Sequence, residues 1–264
     1  MQQLPPQPAY ILHSRPFRDT SLILELLTPD YGRIACIAKG ARRDKQRRQR
    51  ALQPFAPLLV TLMGRHDLKT LGPVESAGQS LWLKGRAVYA GLYANELLVR
   101  LLPEGEAQLS VFAAYQQLLA QLAALTGEEQ GIEGAVLELP LRRFELQLLQ
   151  ALGCCPELDF SPLGNEPIRA EAFYRLTAEE GFMPVHLPAG AALRAGDFSG
   201  AHLLAVRSLT LAGEEGFVED ASPEGCRAEV LAAAKRLCRQ ILSPLLGNRP
   251  LKSRELFRQV YGTQ

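Results

Sequence analysis

Short apolar runs, broken at intervals by turn residues, fill the first part of the chain before the apolar spacing changes to that of helices. Ala9 to Ser14, Ser21 to Leu27, Arg33 to Ala38, Phe55 to Leu62 and Leu68 to Glu75 are rich in Ile, Leu and Val. They are separated by Pro16, the Pro29-Asp30-Tyr31-Gly32 tetrapeptide, a charged segment and Gly64 to Asp67. The tetrapeptide suits a type I turn, and the runs read as strands. Five strands in about eighty residues predict a small closed barrel, the size that an oligonucleotide-binding (OB) fold requires.

Beyond Gly78 the apolar positions fall three and four apart. Tyr93, Leu97 and Leu101, with Ala94, Leu98 and Leu102 beside them, predict a helix that ends before Pro103-Glu104-Gly105. Leu109, Phe112, Leu119 and Leu122 mark a second helix. Leu137, Leu141, Phe144, Leu148 and Ala151 mark a third, begun or kinked at Pro140 and stopped by Gly153. Between Pro156 and Asp197 the periodicity breaks, and Phe173 to Leu176 and Phe182 to Val185 read as a hairpin. A short helix is expected around His202 to Ser208. A long one should follow, capped by Ser222 with Pro223 and buried along Val230, Ala234, Leu237, Cys238, Ile241 and Leu245. Ser253 is the expected cap of a last short helix. The predicted class is α+β: a five-stranded OB β-barrel over residues 1–80, then a helical-bundle domain over 81–264 with a small β-hairpin insertion at about 156–200.

Composition adds a polarity along the chain. The formal net charge of +1 conceals +6 over residues 1–80 and −5 over the rest. The charged segment, KGARRDKQRRQR, concentrates Lys39, Arg42, Arg43, Lys45, Arg47, Arg48 and Arg50 against one acid, Asp44. No side chain in it larger than alanine is apolar, so it cannot be buried. A polyanion would relieve its self-repulsion by exchanging counterions for phosphates; a merely solvated loop is the competing reading. Arg15, Arg18, Arg33, Arg65 and Lys69 are further candidate phosphate contacts, and Phe17, Tyr31 or Phe55 candidate stacking platforms. A second basic cluster, Lys235, Arg236, Arg239, Arg249, Lys252, Arg254 and Arg258, suits either an acidic peptide or a solvated helix face.

Several chemistries are not expected. There is no Gly-Lys step for a P-loop, no dinucleotide fingerprint, no HExxH and no GxSxG. The four His are dispersed, and the acid pairs adjoin Gly in turn-like segments. The five Cys lack the spacing of a zinc site or a disulfide framework. No cofactor, metal or catalytic residue is predicted. With no leader-like or membrane-length apolar stretch, a soluble cytoplasmic chain is expected.

Several stretches together resemble the bacterial RecO family of DNA repair and recombination mediators. They are AYILHSRPFRDTSLILELLTPDYGRIACIAKGARR (9–43), ANELLVRLLPEGE (94–106), LLQALGCCPELD (148–159) and PLLGNRPLKSRELF (244–257). The resemblance implies binding of single- and double-stranded DNA and annealing of complementary strands coated with single-strand-binding protein. It also implies contact with that protein's acidic C-terminal tail, and cooperation with RecR to load RecA at gaps, without nucleotide hydrolysis. It places the protein at the nucleoid. Many members carry a zinc site of two CxxC pairs, but the corresponding stretch here has no Cys, which implies ordinary packing instead. Two other readings stay open: a protein-interaction scaffold with an incidental basic loop, and an RNA-binding OB-fold protein.

Overall fold

Strand β1 (Gln7–Phe17) is long because it serves two neighbours: residues 7–9 pair with β4 (Leu58–Met63), and residues 10–17 with β2 (Ser21–Thr28). A register shift between Ile11 and His13 lets the strand bend between the two pairings. With β3 (Gly32–Ala38) and β5 (Lys69–Ser76), the sheet closes in the order β1-β2-β3-β5-β4, with β3 and β5 parallel and every other pair antiparallel. This is the predicted OB-type barrel in a computed structural model. The structure describes residues 3–43, 52–79, 81–125, 134–163, 165–186, 193–194, 196–211 and 224–262. Strict alternation in β3 puts Ile34, Cys36 and Ala38 inside, against Leu24, Leu26, Val60 and Leu62. Each buried Leu of this kind contributes roughly 1.5–3 kcal/mol.

One turn chemistry recurs. Thr28 Oγ1 donates to the Gly32 carbonyl and accepts the Tyr31 N–H, closing the β2–β3 hairpin. Thr177 does the same with Gly181 and Glu180, between β8 (Phe173–Thr177) and β9 (Gly181–Val185). Both glycines have positive φ, +54° and +70°, as three-residue hairpins that end in a left-handed residue require.

Six helices follow the barrel among the described residues: α1 (Arg86–Leu101), α2 (Leu109–Leu125), α3 (Gly134–Ala151), α4 (Gly200–Leu211), α5 (Glu224–Leu246) and α6 (Lys252–Tyr261). Pro140 lies inside α3, in its second turn, where it removes one backbone N–H from the helix ladder. The Ser222 and Pro223 cap falls outside the described residues. Leu109 is 68% exposed at the tip of α2, and Leu245 is exposed near the end of α5, so neither joins the stripe expected for it. The chain forms two compact units, residues 1–144 with 248–264, and residues 145–247. In the second unit β8 and β9 extend to a three-stranded sheet with β10 (Asp197–Ser199), accompanied by the two-stranded pair β6 (Phe160–Ser161) and β7 (Glu166–Pro167).

In the first unit the helices rest on the outer side of β1. Tyr10, which points away from the barrel core, packs its ring against Phe112 and Tyr115 at 5.6 and 5.2 Å. Beneath them Asn95 Nδ2 donates to the Leu12 carbonyl at 3.0 Å, and Asn95 Oδ1 accepts the Tyr115 hydroxyl at 2.5 Å. Every polar group in this buried junction has a partner, so the helices seat in one register on the strand.

Candidate nucleic-acid interface

The helices cover one end of the outer face of β1, around Tyr10 and Leu12, while His13 to Pro16 are exposed. Strand register sets the next row outward. Arg15 pairs with Ile23, Ile23 with Ile37 and Ile37 with Thr70, opposite in sense to the inward Leu24–Cys36 pair. The result is a neutral, apolar strip with a cation at one end.

That end is a rim of basic residues. Arg18, at φ +51°, turns the chain after β1, and its guanidinium lies 5.2 Å from the Phe17 ring centre. The root of the cationic segment is tied to the same turn. The Arg42 N–H donates to the Thr20 carbonyl at 2.9 Å, and Arg42 Nη1 donates to the carbonyls of Arg18 and Asp19 at 3.1 and 3.3 Å. The Arg43 N–H returns to the Gly40 carbonyl, which makes a tight turn. Lys39, Arg42 and Arg43 are exposed, as are Arg15 and Arg18. Asp19 is the one acid in this turn. The hydrogen bonds of the Arg42 guanidinium go to neutral oxygens, so they orient its charge without cancelling it. Lys45, Arg47, Arg48 and Arg50 lie outside the described residues. Arg65, on the β4–β5 loop, is exposed, and Lys69 is half-buried opposite Cys36.

Arg33 is placed differently from the other candidates. Its side chain is 17% exposed, Nη1 is 2.9 Å from Glu25 Oε2, and Nε donates to the Leu102 carbonyl at 3.0 Å. The Arg33 carbonyl accepts the Gly105 N–H at 2.8 Å. Arg33 therefore neutralises the acid on the outer row of β2 and fastens the end of α1 to the barrel. Phe55, expected as a possible platform, is buried, and its ring lies against Gly91 of α1 where a β-carbon could not fit without displacing it. Tyr31 packs on the barrel core, which leaves Phe17 as the proposed aromatic at the rim.

The C-terminal basic residues divide between the two units. On α5, Lys235 and Arg239 are exposed, whereas Arg236 donates to the Asp197 carbonyl at 2.8 Å and stacks 4.4 Å from the Phe198 ring centre. Asp197, fully buried, receives Arg175 at 2.7 and 3.2 Å and the Arg194 N–H at 3.1 Å. The Arg175 hydrogen bond, reinforced by that N–H and opposed by desolvation, holds its carboxyl below the usual value. In the first unit, Arg249 and Lys252 are exposed, and Arg254 lies 5.3 Å from the Tyr93 ring centre. Ser253 is not the cap of α6. Glu96 serves instead, accepting the Lys252 N–H at 3.0 Å, the Ser253 N–H at 2.9 Å and the Ser253 hydroxyl at 2.7 Å. No local signal marks Glu96 for this role, because its partners are more than 150 residues away.

Burial raises the Cys36 thiol to about 12, with Glu25 adding to it, and raises Cys155 to about 11, with Cys154 adding to it, so neither is an activated nucleophile. Among the described residues no group of three or more His, Cys, Asp or Glu is arranged to hold a metal ion, and no helix is long and apolar enough to cross a membrane.

A closed OB-type barrel with an anchored cationic rim, followed by helices, defines the class of this protein as an OB-fold protein with a helical region. The N-terminal and C-terminal family models of Recombination protein O match residues 1–79 and 84–255. The chain is 42% identical over 251 residues to a protein of Cellvibrio japonicus named DNA repair protein RecO, covering 95% of each. It is 40% identical over 259 residues to the protein of that name from Pseudomonas putida, covering 98% of this chain and all of the relative. A Klebsiella pneumoniae protein of the same name is 39% identical over 253 residues, covering 96% of this chain and 92% of that protein. The chain belongs to the RecO family.

Proposed function

We propose that this protein is a DNA-binding recombination mediator in DNA repair. It binds single- and double-stranded DNA, anneals complementary strands coated with single-strand-binding protein, and helps RecR load RecA at gaps in the cytoplasm. The observation that carries this reading is the attachment of Arg42 to the Arg18–Thr20 turn, which gathers the cations of two loops at one rim of the barrel. OB folds hold oligonucleotides with the β2–β3 face and the adjoining loops. Two single strands anneal slowly because their phosphates repel. Lys39, Arg42, Arg43, Arg15 and Arg18, continued by Lys45, Arg47, Arg48 and Arg50, neutralise phosphate and lower that barrier without any bond being made or broken. Backbone contacts of this kind carry no direct base information, so recognition is independent of sequence. Arg33 contributes indirectly, by neutralising a carboxylate that would repel the strand. Each unit carries its own basic set, Arg249, Lys252 and Arg254 in the first and Lys235, Arg236 and Arg239 in the second, and these two sets are taken separately as the proposed contacts for the acidic tail of single-strand-binding protein.

The test is annealing of strands precoated with single-strand-binding protein, comparing the wild type with Arg42, Arg43, Arg47 and Arg48 all changed to Ala. A salt titration of single-strand affinity accompanies it. Removing up to four phosphate contacts should flatten the log-log slope by as much as ~2.8, at ~0.7 per contact. Fast annealing by the wild type, with loss of rate and slope in the variant, supports both function and rim. Annealing by both moves the site elsewhere, and annealing by neither overturns the reading. Matched RNA oligomers binding more tightly than DNA would favour an RNA-binding protein.

A further inference from the structure

Trp82 is the only tryptophan of the chain, and it is 76% exposed. An indole left this far in water forgoes much of its burial energy, so a ring held in this way is a candidate contact surface. It lies on the segment that leads from β5 into α1, followed by exposed Lys84 and by Arg86, the first residue of α1. The guanidinium of Arg86 sits 5.0 Å from the Tyr261 ring centre and 6.0 Å from that of Phe257, both on α6. Tyr89 meets the same two rings edge-on at 5.6 and 5.9 Å. The Tyr261 hydroxyl approaches Gly85, three residues from Trp82. Aromatic planes and cations therefore alternate across this part of the first unit. Residues 81–90 hold two cations and no acid, and residues 249–262 hold four cations and one acid.

We propose that Trp82, with Lys84 and Arg86, forms a second single-strand binding platform, on which a base stacks against the exposed indole while the cations receive the flanking phosphates. The proposal deepens the mediator reading and rests on it for its purpose: one strand held at the barrel rim and another at Trp82 raise the effective concentration of each for the other. A single strand fits better than an acidic peptide. A peptide's apolar side chains need a slot that encloses them, whereas a base offers a flat face and needs only a flat, accessible ring beside positive charge.

Because Trp82 is the only indole, intrinsic fluorescence reports on this position alone. The wild-type protein is titrated with an oligothymidylate, with a duplex of matched phosphate content and with an acidic apolar peptide. Strong quenching by the single strand and little by the duplex is expected. Equal quenching by both, or by the peptide alone, overturns the platform. Trp82→Ala should weaken single-strand affinity about fivefold or more, while Trp82→Phe, which keeps a flat ring, should recover most of it. Both side chains are tolerable at so exposed a site, so unchanged affinity in Trp82→Ala also overturns the proposal. Arg42→Ala with Arg43→Ala should leave the saturating quench in place; its loss would mean that Trp82 belongs to the rim. Annealing without quenching sinks the platform alone, and quenching without annealing sinks the mediator reading alone.

Discussion

The carboxylate of Glu96 caps a helix 157 residues away, accepting both the backbone N–H and the hydroxyl of Ser253. Four residues along α1, Arg100 donates to the Arg249 carbonyl at 2.9 Å, so a pair of side chains on one helix face grips the segment that leads into α6. Within α6 only Ser253 is buried, and Leu256 and Val260 are 45% and 55% exposed. Polar capping and the Tyr89, Phe257 and Tyr261 rings, rather than a deep apolar face, keep this helix in place.

Replacing Glu96 with Ala should therefore loosen α6 selectively, at a cost of about 1–2 kcal/mol. Faster amide exchange over residues 252–262, with the barrel strands unchanged, is the readout. Partial burial raises the Glu96 carboxyl, but the Ser253 and Lys252 hydrogen bonds and Arg100 outweigh it and leave the group below its ordinary value. A depressed carboxylate contributes its stability above the unfolded pKa and loses it as pH falls through the folded one. Protection of the α6 amides, corrected for the intrinsic pH dependence of exchange, should fall in acid below about pH 4, be flat from about pH 6 to 8, and lose this acid dependence in Glu96→Ala.

Gly32→Ala should destabilise the barrel more than any surface change. The residue has φ +54°, and a β-carbon there would collide with the Glu106 carbonyl, so either strand β3 or the segment after α1 must move. The conformational penalty alone is about 1–3 kcal/mol, before the collision is counted. Thermal unfolding should show a clear drop in midpoint, while Thr28→Val, which removes the hydroxyl bridge of the same turn and keeps the shape of this buried side chain, should cost about 1 kcal/mol.

Arg33 and Glu25 should prove coupled. A double-mutant cycle with Arg33→Ala and Glu25→Ala is expected to return about 1–2 kcal/mol of interaction. The two singles should also differ in DNA binding. Arg33→Ala leaves an unpaired carboxylate on the β2 outer row and should weaken single-strand affinity, whereas the double variant should recover much of it.

In the second unit, Asp197→Asn should disturb β8 and β10 together. Asp197 joins Arg175 to the Arg194 N–H by its carboxylate and Arg236 by its carbonyl. Faster amide exchange confined to residues 173–199 is expected, and unchanged protection there would show that the Arg236 stack on Phe198 is sufficient by itself.

Local pattern and tertiary structure divided the information along physical lines. Alternation in Gly32–Ala38, the Thr-to-Gly turns and the four-residue spacing of Tyr93, Leu97 and Leu101 each act within a few residues, and they determined the strands, the hairpins and the buried helix faces. The crowding of seven cations without an apolar partner likewise argued against burial, and the three of them that are described, Lys39, Arg42 and Arg43, are exposed. What covers a given side chain is decided by residues remote in the chain, and there the tertiary structure had the deciding part. It placed Arg33 against a carbonyl 69 residues away, turned Phe55 inward onto Gly91, and gave the cap of α6 to Glu96 rather than Ser253. It also left Trp82 exposed at a position where composition alone would favour burial. Periodicity encodes which face of an element is apolar, but the partner of a polar or aromatic group depends on which distant backbone atoms the closed barrel and docked helices bring within hydrogen-bonding reach.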